Sequence, residues 1–333
     1  MFALLLSALL SFSGRAPSIA FDSHGRLHVI YVDDASRRVM HRVDDAVTAV
    51  SEGKADARGE IGPVLVEANG TLTVAYTSER NLFVQRSRDD GKTWSAPALV
   101  QDDHAGGSHS FIDATANRDG DVVVSWLDNR SGHQGVRAAV VRAAPQKNFS
   151  VDDFTCECCR TALLTKRNGD VVVAYRDHGA DNLRNMAYAI SRDGGATFTR
   201  RGDIADDQWH INGCPESGPS LVEANDGSVY TAWFNGRTSS IEFSTLTHAK
   251  PLVIATGPVN HPFLGLLPDG RVIVSYESNH DVVARIRDAH GKWGDPFVVA
   301  EGATYPRYAR RGTRAFFAVV HDATIDVIEW KAK

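Results

Sequence analysis

One unit recurs along the chain: a Pro or small residue, an apolar stretch, a turn ending in Gly, then an alternating apolar run ending in an aromatic or polar residue. It reads PSIAFDSHGRLHVIY from Pro17, PVLVEANGTLTVAY from Pro63, SFIDATANRDGDVVVSW from Ser110 and RTALLTKRNGDVVVAY from Arg160. It continues as PSLVEANDGSVYTAW from Pro219, PFLGLLPDGRVIVSY from Pro262 and PRYARRGTRAFFAVV from Pro306. The turn glycines, Gly25, Gly70, Gly120, Gly169, Gly227, Gly270 and Gly312, are spaced 45, 50, 49, 58, 43 and 42 residues apart. N-G, D-G and H-G dipeptides supply the positive φ of tight turns. The flanking runs are rich in Val, Ile, Tyr and Trp, as strands are. The period leaves room for two further strands per unit; RNLFVQRS (80–87) and APALVQ (96–101) fill it in the second. Four strands per period, repeated radially, make a β-propeller. No stretch shows a helical period. The expectation is one all-β propeller domain over residues 1–333, with seven four-stranded blades, or six if one hairpin is degenerate.

The last unit reaches its third strand at IDVIEW (325–330) and lacks a fourth. A strand borrowed from the N-terminus, residues 3–12, would close the ring. The same stretch, FALLLSALLSF, is also long enough for the apolar part of a secretory signal, with Ser11-Phe12-Ser13 as a small-x-small site. No Lys or Arg precedes it, which weakens that alternative, and the missing strand favours pairing.

Hydrophobic residues make up 43% of the chain and charged residues 23%, which suits a globular core rather than disorder. The net charge of -5 and the lack of a basic stripe argue against nucleic acid or an anionic membrane as partner. No apolar run reaches the ~18 residues of a membrane span. Twelve Pro and four Cys exclude a low-complexity chain and a disulfide-dense scaffold.

Two turns, SRDDGKTW (87–94) and SRDGGATF (191–198), match the Asp-box pattern S-x-D-x-G-x-T-W/F; RDAHGKW (287–293) is a degenerate third. In such a turn the Asp caps backbone N–H groups, Gly permits the backbone angle and the aromatic packs into the blade. With these boxes the chain resembles the sialidase (neuraminidase) superfamily over nearly its whole length. Asp boxes also occur in other glycosidases and in non-enzymatic propellers.

The topology gathers around the central funnel the residues just before each inner strand and just after each second strand. There the resemblance implies roles. Arg15, in RAP, is similar to the family's Arg-Ile-Pro arginine that opens a clamp on the substrate carboxylate. Asp33 or Asp34 stands where the family has its acid/base Asp. Glu216, in PESGPSLVEANDG, looks like the Glu that activates the nucleophile, and Tyr305 like the nucleophilic Tyr. A tyrosinate suits an anionic substrate, because a carboxylate nucleophile would repel it. Arg237 roughly fits the second clamp arginine. His261 stands where a third would be expected, with Arg160 or Arg307 as substitutes.

All four cysteines lie in two loops on consecutive units, TCECCR (155–160) and GCP (213–215), at the funnel mouth. The standard sialidase pattern lacks them. Three readings compete: disulfides in an oxidising compartment; a copper or zinc site of Cys156, Cys158, Cys159 and Cys214, with His109 or His261 as extra ligands; or a reactive thiol. The functions in view are therefore a sialidase-like hydrolase of acidic sugars working as a monomer outside the cytoplasm with no required cofactor, a metal-binding propeller without hydrolysis, and a glycan-binding propeller without catalysis.

Overall fold

A computed structural model describes residues 8–103, 107–142, 147–246 and 250–330. Within them lie seven four-stranded antiparallel sheets. Blade 1 runs from Arg15–Phe21 to Ala46–Ala49, blade 2 from Val64–Ala68 to Ala98–Leu99, and blade 3 from His109–Ala116 to Phe149–Asp152. Blade 4 runs from Ala162–Thr165 to Thr199–Asp203, blade 5 from Ser220–Glu223 to Leu252–Thr256, and blade 6 from Val259–Leu266 to Phe297–Ala300. Blade 7 has Thr304–Arg311, Arg314–His321 and Thr324–Trp330 in order, and Ala8–Ser13 adds to its outer edge. The closing pairs include Leu10 with Val327 and Phe12 with Ile325. Residues 3–7 of the expected closing strand lie outside the described residues. No helix among the described residues is long and apolar enough to cross a membrane.

Each hairpin forms where the repeat places its glycine. All seven turn glycines have φ between +54° and +94°, a region open to Gly at little cost. The second strands are buried on both faces and correspondingly continuous in apolar residues: VVVSWLD and VVVAYR are wholly buried. Their side chains fill the wedges between blades. Trp126 joins Val66, Leu82 and Val84 of the preceding blade, Trp233 joins Val172 and Met186, and Phe316 joins Val29 and Tyr31 across the closure. Full burial of such side chains contributes roughly 1.5–3 kcal/mol each, so blade-to-blade packing holds the ring.

The Asp boxes lie in the outer loops. Asp89 Oδ1 accepts the Thr93 N–H at 2.9 Å, its Oδ2 accepts the Thr93 hydroxyl at 2.6 Å, and Ser87 Oγ accepts the Gly91 N–H at 2.8 Å. Asp193, Thr197, Ser191 and Gly195 repeat the network at 2.9, 2.6 and 2.8 Å. Each box docks on the preceding blade: Thr48 donates to the Gly91 carbonyl at 2.7 Å, and Asn117 to that of Gly194 at 2.9 Å. The boxes are struts between blades.

Candidate active site on the propeller axis

The inner strands slip register at the same place in blades 1, 3, 6 and 7. At each slip one non-Gly residue takes a left-handed conformation: Ala16, Phe111, His261 and Tyr305, with φ of 51°, 53°, 45° and 51°. Pro17, Pro262 and Pro306 follow three of them. Bulges of this kind bend a strand and re-aim a side chain, and left-handed non-Gly residues concentrate at functional sites. Glu216 shares the conformation, with φ of 48°.

These bulges bring three neighbouring blades together. The His261 and Tyr305 rings lie 4.5 Å apart, centroid to centroid. His261 Nε2 lies 2.9 Å from the Glu216 carbonyl oxygen and its Nδ1 2.9 Å from Glu277 Oε2. The other Glu277 oxygen accepts the Tyr305 N–H at 2.7 Å. Burial opposes the charge on His261, but the Glu277 carboxylate outweighs it and lifts the imidazole above its ordinary range. Burial, then the charges of Glu277, Glu216 and Glu60, push the Tyr305 phenol up to about 12. Among the described residues no hydrogen bond joins Tyr305 to Glu216. The Glu216 carboxylate instead reaches across the axis to Gly59.

A cavity of about 70 Å3 is lined by residues approaching blades 1, 2, 3, 4, 6 and 7, among them Arg160, Arg307, Glu60, Asp113 and Phe263. Both guanidiniums pack on the Phe263 ring, at 5.9 and 5.5 Å from its centroid. Burial and then repulsion from Arg160 pull Arg307 down to about 10. Asp113 is pushed up by burial, though Arg160 and Arg307 partly counter this. Glu60 Oε2 accepts the Arg160 N–H at 3.0 Å and the Gly218 N–H at 2.8 Å, tying blades 2, 4 and 5.

The other expected residues sit elsewhere. Arg15 is ion-paired with Asp34, both half-buried at the mouth of blade 1. Asp33 caps its own turn, accepting the N–H and hydroxyl of Ser36, both at 2.7 Å, which holds its carboxyl below the usual range. Arg237 donates to the Asp207 carbonyl at 2.8 Å and does not line the cavity.

The cysteines do converge. Cys158 and Cys214 form a disulfide, while Cys156 and Cys159 are buried free thiols with sulfurs 3.6 Å apart. The Cys159 hydrogen bond draws the Cys156 thiol below its ordinary range despite burial, and Arg176 and Arg184 add to this; burial pushes Cys159 the other way. A second disulfide is thus absent among the described residues. Neither histidine joins the sulfurs. His109 lies 2.6 Å from the Arg80 carbonyl oxygen through Nδ1, and 3.0 Å from Asp103 through Nε2. His261 is held by Glu216 and Glu277 as above.

Sequence reasoning passed over Glu277 and Asp207. Glu277 carries a readable signal, a carboxylate at the end of a second strand. Asp207 carries none: it lies in a loop, and only the fold buries it beside Arg176 and under the Trp233 indole, which donates to it at 2.9 Å. Burial pushes Asp207 up to about 7 although Arg176 partly counters this.

No protein-family model matches the sequence, and no curated protein matches it. Solved structures do resemble it. A mutant NanB sialidase from Streptococcus pneumoniae aligns with a TM-score of 0.55 and 10% identity, over 92% of this chain and 83% of that one. A catalytically inactive virginiamycin B lyase from Staphylococcus aureus, with quinupristin, aligns at 0.61 and 12%, over 98% and 99%. An Aleuria aurantia lectin mutant, in complex with Fucalpha1-6GlcNAc, aligns at 0.53 and 11%, over 98% and 94%. Identities this low establish the propeller fold, shared by sialidases and by proteins of other activities.

Proposed function

We infer that the chain is a sialidase-like glycoside hydrolase that takes the terminal acidic residue of a glycan into the funnel mouth. The observation that carries this reading is the link between Tyr305 and Glu216 through His261, whose ring lies 4.5 Å from that of Tyr305 and whose Nε2 lies 2.9 Å from the Glu216 carbonyl oxygen, together with Arg160 and Arg307 in the axial cavity. The cavity has room for a carboxylate, since one water needs only ~10–15 Å3 of such space. In this reading the acid group of the sugar lies on the two arginines and the ring stays in the open mouth beside Tyr305. Glu216 takes the phenol proton as the Tyr305 oxygen attacks the anomeric carbon; burial, and then the negative surroundings, raise the phenol's pKa and make a base essential. Asp34, beside Arg15 at the mouth of blade 1, is the acid for the leaving oxygen; Asp33 holds the turn. Arg237 steadies the blade 5 loop.

The disulfide between Cys158 and Cys214 suits an oxidising compartment and supports a reaction outside the cytoplasm; the reading takes a monomer as the working unit and no cofactor in the hydrolysis. Sialidase and lectin relatives in fold make a glycan ligand the natural class. The test is turnover of an aryl sialoside. Wild type should release the aryl group, and Glu216→Gln should abolish release with an unchanged circular dichroism spectrum. No release from any aryl glycoside of an acidic sugar by the wild type overturns the reading.

A further inference from the structure

The four cysteines stand in a setting that a disulfide and two thiols leave unexplained. Cys156, Cys158 and Cys159 place their sulfurs within 4.8 Å of one another, and Cys214 is bonded to Cys158. Around them stand two guanidiniums almost wholly withdrawn from solvent, Arg176 at 1% and Arg184 at 2% exposure. Arg176 is woven into the same loops. Its carbonyl accepts the Cys156 N–H at 3.1 Å, and its guanidinium donates to the carbonyls of Ser217 at 3.0 Å and Arg184 at 3.2 Å. Arg184 has one carboxylate partner, Glu157, at 3.5 Å. Arg176 Nε, Arg184 Nε and Nη1, Thr155 Oγ1 and Ser217 Oγ are buried with no hydrogen-bond partner among the described residues. Buried polar groups are normally satisfied, and unpaired ones call for an explanation. Two buried cations and a set of unfilled donors are the surroundings an anionic centre requires.

We propose that Cys156, Cys158, Cys159 and Cys214 form a four-thiolate site for a thiophilic metal ion, Zn2+ or Cu+, and that the Cys158–Cys214 disulfide is its closed, metal-free state. Four sulfurs at ~2.3 Å from a tetrahedral ion stand ~3.8 Å apart, close to the 3.6 Å between Cys156 and Cys159. A tetrathiolate of Zn2+ carries two negative charges, which Arg176, beside Asp207, and Arg184, paired with Glu157, temper. Opening the site takes a two-electron reduction by a dithiol. Cys214 is exposed while Cys158 is buried, so the reductant's thiolate attacks the Cys214 sulfur and Cys158 leaves as a thiolate into the cluster. The reductant's second thiol then displaces Cys214 and becomes a disulfide itself. Metal entry releases the remaining thiol protons.

The experiment titrates Zn2+, and separately Cu+, into full-length protein before and after dithiol reduction, with bound metal counted by mass spectrometry after desalting. Thiol counts should be two before reduction and four after. Reduced protein should hold one ion per chain, and oxidised protein should bind at least about 100-fold more weakly. Zn2+ uptake with no Cu+ uptake, or the converse, assigns the ion. Cys214→Ser, an exposed loop position, should weaken binding in the reduced protein while the fold persists, and Arg184→Met should weaken it about 10-fold. Co2+ should give a thiolate charge-transfer band that Cys156→Ser lowers. Equal metal in reduced wild type and reduced Cys214→Ser, or no retained Zn2+ and no retained Cu+, overturns the proposal. Neither outcome bears on aryl sialoside turnover.

Discussion

The Glu216 carboxylate fills the space over Gly59: a Cβ on that glycine would clash with Glu216 Oε1. Gly59 belongs to the approach to blade 2 and Glu216 to the approach to blade 5, so one side chain spans the axis. The absence of a side chain at Gly59 sets where the carboxylate rests.

Gly59→Ala should therefore move Glu216. The glycine also has φ of +53°, where an L residue costs roughly 1–2 kcal/mol. The expected result is a modest fall in melting temperature and a loss of at least about 10-fold in aryl sialoside turnover. Unchanged turnover would show that Glu216 does not act from this position.

Glu60 is the buried acceptor for two backbone N–H groups, of Arg160 and Gly218. Glu60→Ala orphans both, at roughly 1–3 kcal/mol each. Glu60→Gln keeps an acceptor oxygen in place. Urea denaturation should show a loss of about 2–6 kcal/mol for alanine and a clearly smaller one for glutamine.

His261 gives a pH signature. Its folded pKa lies above the unfolded value near 6.5, because Glu277 favours the imidazolium. The stability from this pairing is fully present below about pH 6.5 and is lost as pH rises through the folded pKa. The melting-temperature gap between wild type and His261→Asn should shrink between about pH 6 and about pH 9. A constant gap would mean the imidazole stays neutral.

Asp207 has the opposite sign. Its folded pKa, about 7, stands above the ordinary carboxyl value. Keeping the group ionised in the fold thus costs stability that grows from about pH 4 to about pH 7. Asp207→Asn retains an acceptor for the Trp233 indole. It should be more stable than wild type at about pH 8, on the order of 1–3 kcal/mol, and should show no such gain at about pH 4.

Removing residues 1–13 should unpair the outer edge of blade 7 and expose the groove filled by Leu10 and Phe12, where the Phe12 ring lies 4.8 Å from that of Tyr31. The loss should be at least about 3 kcal/mol, read as a lower urea midpoint. An unchanged midpoint would mean the ring does not need this strand.

The blades were legible in the sequence because everything that makes a hairpin is local. Alternating apolar runs meet at Gly25, Gly70 and their counterparts, and the positive φ each turn needs is a property of the residue in it. The Asp boxes were legible for the same reason: Ser87, Asp89, Gly91 and Thr93 bond within one loop. Even the gathering of the cysteines followed from the repeat, since loops before consecutive inner strands must be neighbours. The contacts across the ring were not legible. The Glu60 to Gly218 bond joins residues 158 apart, and nothing near either announces the other. Arg15 is engaged by Asp34, Glu216 is turned toward Gly59, and Cys214 is paired with Cys158 rather than its neighbours. Each outcome depends on bulges that aim single side chains and on ring closure that chooses who faces whom. Local pattern thus determined the blades of this protein, while the distances on its axis were decided only once seven of them had closed.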